Sequence, residues 1–340
     1  MPEPELATRV GRPSAFLWSL ALFLLLWVGF YALQLGLPYL KNGSDVIFGA
    51  KLRWEQTGPI FPSDPQVTRV LIFGNSKVLA GFLPSLFDRM AASDNLKVSS
   101  FNSGFPGSDL FLPPLKAMCE RGQAPDVLLL TLPWKADPRP RDIFHLIPDD
   151  HAVIEWLFPF RYWLRDFTDF AFSAPSHGGL RGSYREAEND EKQVIADRGR
   201  YLITEQSRFS GGRLPDDFHL ASDLPNRIDP RPVPAHSTQI AELNGLIRQY
   251  HMRCFYLPYY LRIGEAAVPP GHDTGFSSVI EGATPCRVLG PDYFLYPNPL
   301  FSDQTHVNTA GAQVYTAALY RLIQNQLGDQ LSQRRGHALQ

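Results

Sequence analysis

"TRVLIFGNSKVLAGFLPSLFDRM", residues 68–90, decides the fold class. Its opening is a continuous apolar run of strand length, Gly74 and Asn75 punctuate it, and the apolar residues that follow recur at helical spacing. The stretch therefore reads as strand, tight turn and helix. Residues 95–122, "NLKVSSFNSGFPGSDLFLPPLKAMCERG", repeat that order with a short strand, a Gly/Pro turn and a helix. "APDVLLLTLPW", residues 124–134, adds a buried strand behind a Pro-Asp turn signal. Strands that are apolar throughout and alternate with helices predict an α/β domain whose parallel sheet is covered on both faces.

Toward the C-terminus the rhythm breaks over residues 136–235. An aromatic-rich portion, "IEWLFPFRYWLRDFTDFAF" (154–172), leads into a polar stretch from about Ser176 to Ala235. This is an insertion, read either as a lid and binding segment or as partly disordered. Trp156, Phe158, Phe160, Tyr162 and Trp163 read first as core, with a sugar-stacking cleft or an interfacial belt as alternatives. The α/β pattern resumes with a capped amphipathic helix in 235–253, a strand in "CFYLPYYL" (254–261), and a final helix from about Thr309 to Leu327.

Toward the N-terminus, residues 13–40 carry no charge. At about 1.5 Å per residue such a helix is long enough to cross a hydrocarbon core of about 30 Å. The run is longer than the apolar part of a cleaved signal peptide and is read as an uncleaved signal anchor. The expected organisation is a cytoplasmic tail (1–12), a transmembrane helix (13–40), a juxtamembrane linker (41–67) and the α/β domain (68–340). Arg9 and Arg12 precede the span while Lys41, Lys51 and Arg53 follow it, so flanking charge does not set its orientation.

The net charge of -2, with both signs interspersed, offers no electrostatic footprint for nucleic acid. Cys119, Cys254 and Cys286 form no CxxC pair, and no histidine stands at metal-ligand spacing from another ligand, so neither a metal site nor a cofactor is expected. One disulfide is open to the chain: Cys254 with Cys286 in an oxidising compartment, leaving Cys119 as a small buried hydrophobe.

Residues 300–315, "LFSDQTHVNTAGAQVY", place an Asp and a His three positions apart at the entrance to the last helix. A serine hydroxyl is a weak nucleophile until a base takes its proton, and the base needs a third group to fix its tautomer and orientation. In open α/β sheets functional groups gather beyond the carboxyl ends of the strands. Ser76, in the turn after the first strand, supplies the nucleophile if the final loop folds to the same end, with His306 as base and Asp303 as its orienting acid.

Three blocks in this order resemble the SGNH, or GDSL, hydrolase superfamily. "VLIFGNSKV" is similar to its first block, with Ser76 at the nucleophile position. "FNSGFPGSD" is similar to its second, in which Gly107 would offer an oxyanion N–H and Asn102 would bind oxyanion or substrate or fix the turn. "DQTHVNTAGAQVY" is similar to its last, which makes Asp303 and His306 the acid and base. The third block departs from the pattern: "LTLPWKADP" has Pro133 and Lys135 where Gly-x-Asn is usual, and Lys135 stands as a cationic substitute donor or a solvated side chain. The resemblance implies a three-layer, flavodoxin-like sheet. The N-terminal anchor, the divergent third block and the insertion look like the membrane-anchored DltD-like and alginate-acetylation branch of the superfamily.

That branch implies a periplasmic domain tethered to the inner membrane. It implies an O-acyltransferase or esterase acting on acyl groups, foremost O-acetyl, of a cell-envelope or secreted polysaccharide, beside a membrane-bound O-acyltransferase. The alternative is a non-catalytic polysaccharide-binding or assembly subunit of an envelope polymer modification or export complex. The missing third-block Asn favours that alternative.

Overall fold

The computed structural model describes residues 13–41, 43–106, 112–131, 163–202, 207–220, 238–264, 276–291 and 293–337. The chain divides into two compact units, Met1–Gly43 with Pro140–Glu188, and Ser44–Arg139 with Asn189–Gln340.

The larger unit is mixed α/β around a parallel sheet. Its strands are β1 (Thr68–Gly74), β2 (Val98–Gly104), β3 (Val127–Leu130), β4 (Arg253–Tyr256), β5 (Tyr259–Arg262), β6 (Arg287–Val288) and β7 (Tyr293–Tyr296). Five of them form one sheet in the order β2-β1-β3-β4-β6, and β5 with β7 forms a second, two-stranded one. All pairings in both sheets are parallel. The chain leaves β1 toward β2 on one side and returns to β3 on the other. The carboxyl end of β1 is thus a topological switch point, where a crevice opens in doubly wound sheets.

The apolar strands are explained by which way their residues point. Leu71, Phe73, Leu128, Leu130, Cys254 and Tyr256 enter one core cluster, while Val70, Ile72, Val127, Leu129 and Phe255 enter another. Successive residues of a strand face opposite sides. On the first face pack α5 (Leu112–Glu120), α8 (Thr238–Gln249) and α9 (Phe276–Ala283), through Leu115, Met118, Leu243, Ile247 and Ile280. On the second pack α3 (Ser76–Gly81), α4 (Pro84–Ser93) and α10 (Thr309–His337), through Val78, Phe87, Tyr315, Leu319 and Ile323. The result is three layers. Full burial of each of these Leu, Ile or Phe side chains stabilises the fold by roughly 1.5–3 kcal/mol.

Residues 41–67, read from sequence as a linker, instead contain a helix that belongs to the larger unit's core: α2 (Gly43–Thr57), with Val46, Ile47, Ala50, Lys51 and Glu55 buried. A charged pair on the inward face hid its amphipathicity. The polar insertion likewise contains helices, α6 (Trp163–Ser173) and α7 (Leu180–Ala196). Helix α7 buries Ser183, Ala187, Asp190 and Val194 at helical spacing, and three of these four are small or polar. The Asp190 carboxylate is satisfied by the Tyr201 hydroxyl at 2.9 Å. The last helix continues to His337, beyond the expected end near Leu327.

In the smaller unit, α1 (Pro13–Gly36) contains the apolar segment Ala15–Gly36, 22 residues with no buried share, long and apolar enough to cross a membrane. Cys254 and Cys286 are joined by a disulfide, with Cα atoms 4.4 Å apart. Cys119 is free and buried, and burial pushes its thiol up to about 12. The sequence left that pairing open, and the adjacency of β4 and β6 decides it.

Candidate active site

Ser76 is the first residue of α3, directly beyond the carboxyl end of β1, and is half-buried. Asn75 caps the helix: its side-chain oxygen accepts the Lys77 N–H at 2.9 Å, which uses one of the orphan donors of a helix start. The turn is held from the neighbouring strand by Asn102. Its side-chain nitrogen donates to the carbonyls of Val78 (2.8 Å), Phe82 (2.9 Å) and, more weakly, Leu79 (3.3 Å), and its side-chain oxygen accepts the Gly104 N–H at 2.9 Å. Asn102 is fully buried and commits both ends of its amide to backbone, so here it braces α3. A Cβ on Gly104 would fall 2.3 Å from the Leu79 nitrogen, so only glycine lets β2 end this close to α3.

Asp303 and His306, the acid and base expected from sequence, lie in the loop before α10. Asp303 Oδ1 accepts the N–H groups of Thr305 and His306, both at 2.7 Å, and Oδ2 lies 2.8 Å from His306 Nδ1. A carboxylate only accepts, so Nδ1 carries a proton, and in the neutral imidazole the lone pair sits on Nε2. That Nε2 is buried and has no hydrogen-bond partner among the described residues. Burial alone would raise the Asp303 carboxyl, but the imidazole and the two N–H donors more than offset this and hold it below its ordinary value.

The loop's shape is locally encoded. The Ser302 N–H and hydroxyl both donate to the His306 carbonyl, at 2.8 and 3.1 Å. Phe301 bridges Val307 in antiparallel fashion. Asn308 caps α10, its side-chain oxygen accepting the Gly311 N–H at 3.1 Å and its nitrogen donating to the Pro299 carbonyl at 2.8 Å. Asn308 and Gly311 thus shape the helix entrance.

Two hydroxyls tie this loop and its helix to α3, and neither was singled out from sequence. The buried Tyr260 hydroxyl donates to the Lys77 carbonyl at 2.9 Å and accepts the Val307 N–H at 3.5 Å. The residue after Ser76 and the residue after His306 therefore meet on one oxygen atom. The buried Thr316 hydroxyl donates to the Gly81 carbonyl at 3.1 Å and accepts the Leu83 N–H at 2.9 Å. The structure brings Asp303 and His306 into direct contact and the Ser76 turn alongside them. It does not join the Ser76 hydroxyl to Nε2, a contact that in free enzymes is often long and tightens with substrate.

The insertion's return arm also supports the loop. The Ser207 hydroxyl donates to the Ser302 carbonyl, the Leu214 N–H to the Phe301 carbonyl at 2.9 Å, and the Asn298 side chain to the carbonyls of Asp216 and Phe218 at 2.9 and 3.0 Å. Behind β2 lies a second missed feature, the buried pair Lys51 and Glu55. Lys51 Nζ donates to the carbonyls of Asn102 and Gly199, and Glu55 accepts the Ser103 hydroxyl at 2.7 Å. Burial pulls Lys51 down to about 7 and pushes Glu55 up to about 7. In sequence they form an i,i+4 pair of the kind usually found on a solvated helix face.

Gly107 and Lys135 lie outside the described residues, as does the aromatic group apart from the backbone of Trp163. Among the described residues no group of three metal-ligating side chains is assembled. Comparison of the chain with family models, with curated proteins and with solved structures finds no match.

Proposed function

We propose that the protein is a membrane-anchored SGNH-type serine acyltransferase or esterase that handles acyl groups, foremost O-acetyl, on a cell-envelope or secreted polysaccharide. The observation that carries this reading is the Asp303–His306 hydrogen bond of 2.8 Å, with a buried, uncommitted Nε2 on a loop that Tyr260 ties to the Ser76 turn. In this reading His306 Nε2 takes the Ser76 proton as Oγ attacks an ester carbonyl. Asp303 holds the Nδ1 proton and stabilises the imidazolium that forms. Backbone N–H groups, Gly107 among them, receive the oxyanion, with Lys135 as a further donor. Collapse of the tetrahedral adduct releases the alcohol, protonated by His306, and leaves an acyl-serine. A glycan hydroxyl or water, deprotonated by His306, then resolves it.

An extracytoplasmic domain anchored in the inner membrane fits two features, the apolar α1 and the Cys254–Cys286 disulfide, since disulfides persist in oxidising compartments. A membrane-bound O-acyltransferase is the partner this placement suggests as acyl donor. A second reading, a non-catalytic glycan-binding or assembly subunit, is favoured by the open Ser76-to-Nε2 contact.

Intact-mass analysis of the protein with a fluorophosphonate probe and with an activated acetyl ester separates the two. A single adduct on Ser76, absent from Ser76→Ala, is expected of the enzyme. Folded protein that takes no adduct would establish the binding subunit instead.

A further inference from the structure

The smaller unit carries an apolar elbow next to the exit of α1. Helix α6 ends at Ser173, a 3-10 turn follows over Ala174–His177, and α7 begins at Leu180. The elbow is well built: the Gly179 N–H donates to the Ala174 carbonyl at 2.8 Å, and the His177 ring bonds the Ser173 carbonyl at 2.8 Å. Phe170 and Ala174 are buried beneath it. Yet Phe172, on its flank, is 82% exposed and Leu180, at the start of α7, is 55% exposed.

One contact orients this surface. Tyr39, three residues past the end of α1, packs edge-on against Tyr184 of α7 with ring centroids 5.4 Å apart. Leu180 lies one helical turn before Tyr184 and shares its face. The exposed Leu180 is therefore adjacent to the point where the chain leaves α1. Arg181 and Arg185, also exposed, flank the same face. Rings and aliphatic side chains beside arginines, at the mouth of an apolar span, match the chemistry of a bilayer interface: acyl chains for the former, anionic headgroups for the latter.

We propose that the α6–α7 elbow is a membrane foot, which inserts Phe172 and Leu180 into the interfacial layer of the membrane that α1 crosses and sets Arg181 and Arg185 against anionic phospholipid headgroups. The inference rests on α1 as a span but not on the acyl chemistry, because Ser76, Asp303 and His306 take no part in it.

The test uses the full chain in vesicles of phosphatidylethanolamine and phosphatidylglycerol, with a single cysteine introduced as Phe172→Cys or Leu180→Cys and labelled with a polarity-sensitive fluorophore. Both positions are exposed, Cys119 is buried and the other two cysteines are paired, so the label reports the elbow. A blue-shifted emission, quenched at least about twofold by phospholipid carrying a nitroxide near the headgroup, is expected at both sites. Emission unchanged by the nitroxide lipid and fully quenched by aqueous iodide would overturn the proposal and leave the face to water or to a protein. Replacing phosphatidylglycerol by phosphatidylcholine is expected to weaken the quenching. Unchanged quenching would overturn the role given to the arginines.

Discussion

The Tyr260 hydroxyl donates to the carbonyl of Lys77 at 2.9 Å across a separation of 183 residues. It also accepts the N–H that follows His306, so a single oxygen ties the Ser76 turn to the His306 loop. Tyr260→Phe keeps the ring packed against Tyr315 and Phe301 and removes only this clamp. The expected cost in stability is about 1 kcal/mol. The fluorophosphonate labelling rate of Ser76 is expected to fall about tenfold, since a small misplacement of reacting groups is costly. Unaltered labelling would mean that the clamp does not position the site.

Asp303 fixes the tautomer of His306, so Asp303→Asn should fold normally and lose about 10⁴-fold in turnover of an activated acetyl ester. Under the proposed mechanism Ser76→Ala and His306→Ala should each lose as much, and their combination little more, because members of a triad act as a unit. Additive losses, measured as ester hydrolysis by the four variants, would argue against a shared mechanism. The Asp303 carboxyl is held below its ordinary value of 3.8. Its contribution to stability is therefore complete above that pH and is lost as pH falls through the lower, folded-state value.

Lys51 and Glu55 give the opposite signs. Glu55 is pushed from 4.5 to about 7, so stability falls as pH rises from 4.5 toward 7. Lys51 is pulled from 10.5 to about 7, so stability rises again between about 7 and 10.5. A minimum in unfolding free energy near neutrality is expected. Glu55→Gln should abolish the acidic limb and Lys51→Met the basic one, as read from urea midpoints across pH. Lys51→Met should also cost about 1–3 kcal/mol at pH 7, because it leaves the buried Asn102 and Gly199 carbonyls without this donor.

The Thr316 hydroxyl serves a donor and an acceptor in a buried site. Thr316→Val is nearly isosteric but leaves the Gly81 carbonyl and the Leu83 N–H unsatisfied. A loss of about 1–3 kcal/mol in thermal or urea unfolding is expected. A neutral result would show that water reaches these groups.

The Cys254–Cys286 bridge closes a loop of 32 residues. Replacing both cysteines by serine should lower stability by about 3–4 kcal/mol. Thiol titration of the wild type should find no reactive thiol in the folded protein and one after unfolding, that of Cys119.

The sequence by itself determined β1, β2, β3 and the parallel α/β class, but it read residues 254–261 as one strand where the chain makes two, β4 and β5, in different sheets. Val70–Phe73 of β1 and all of β3 are apolar without alternation because both faces are buried, and that signal is local. The Asp303–His306 pair is equally local: three residues and an Asx turn suffice to form it. The apolar character of α1 needs no partner to be legible.

Only the tertiary structure decided what ties the Ser76 turn to the loop of that pair. Tyr260 and Thr316 read as ordinary strand and helix residues until their hydroxyls meet carbonyls more than 180 residues away. Lys51 and Glu55 are spaced like a solvated helical pair, yet they pack behind β2, and α2 was lost to a linker for that reason. Hydrophobic periodicity records which side of an element is buried. It carries no record of which distant backbone group a buried polar atom finds, because that partner exists only once the layers have packed.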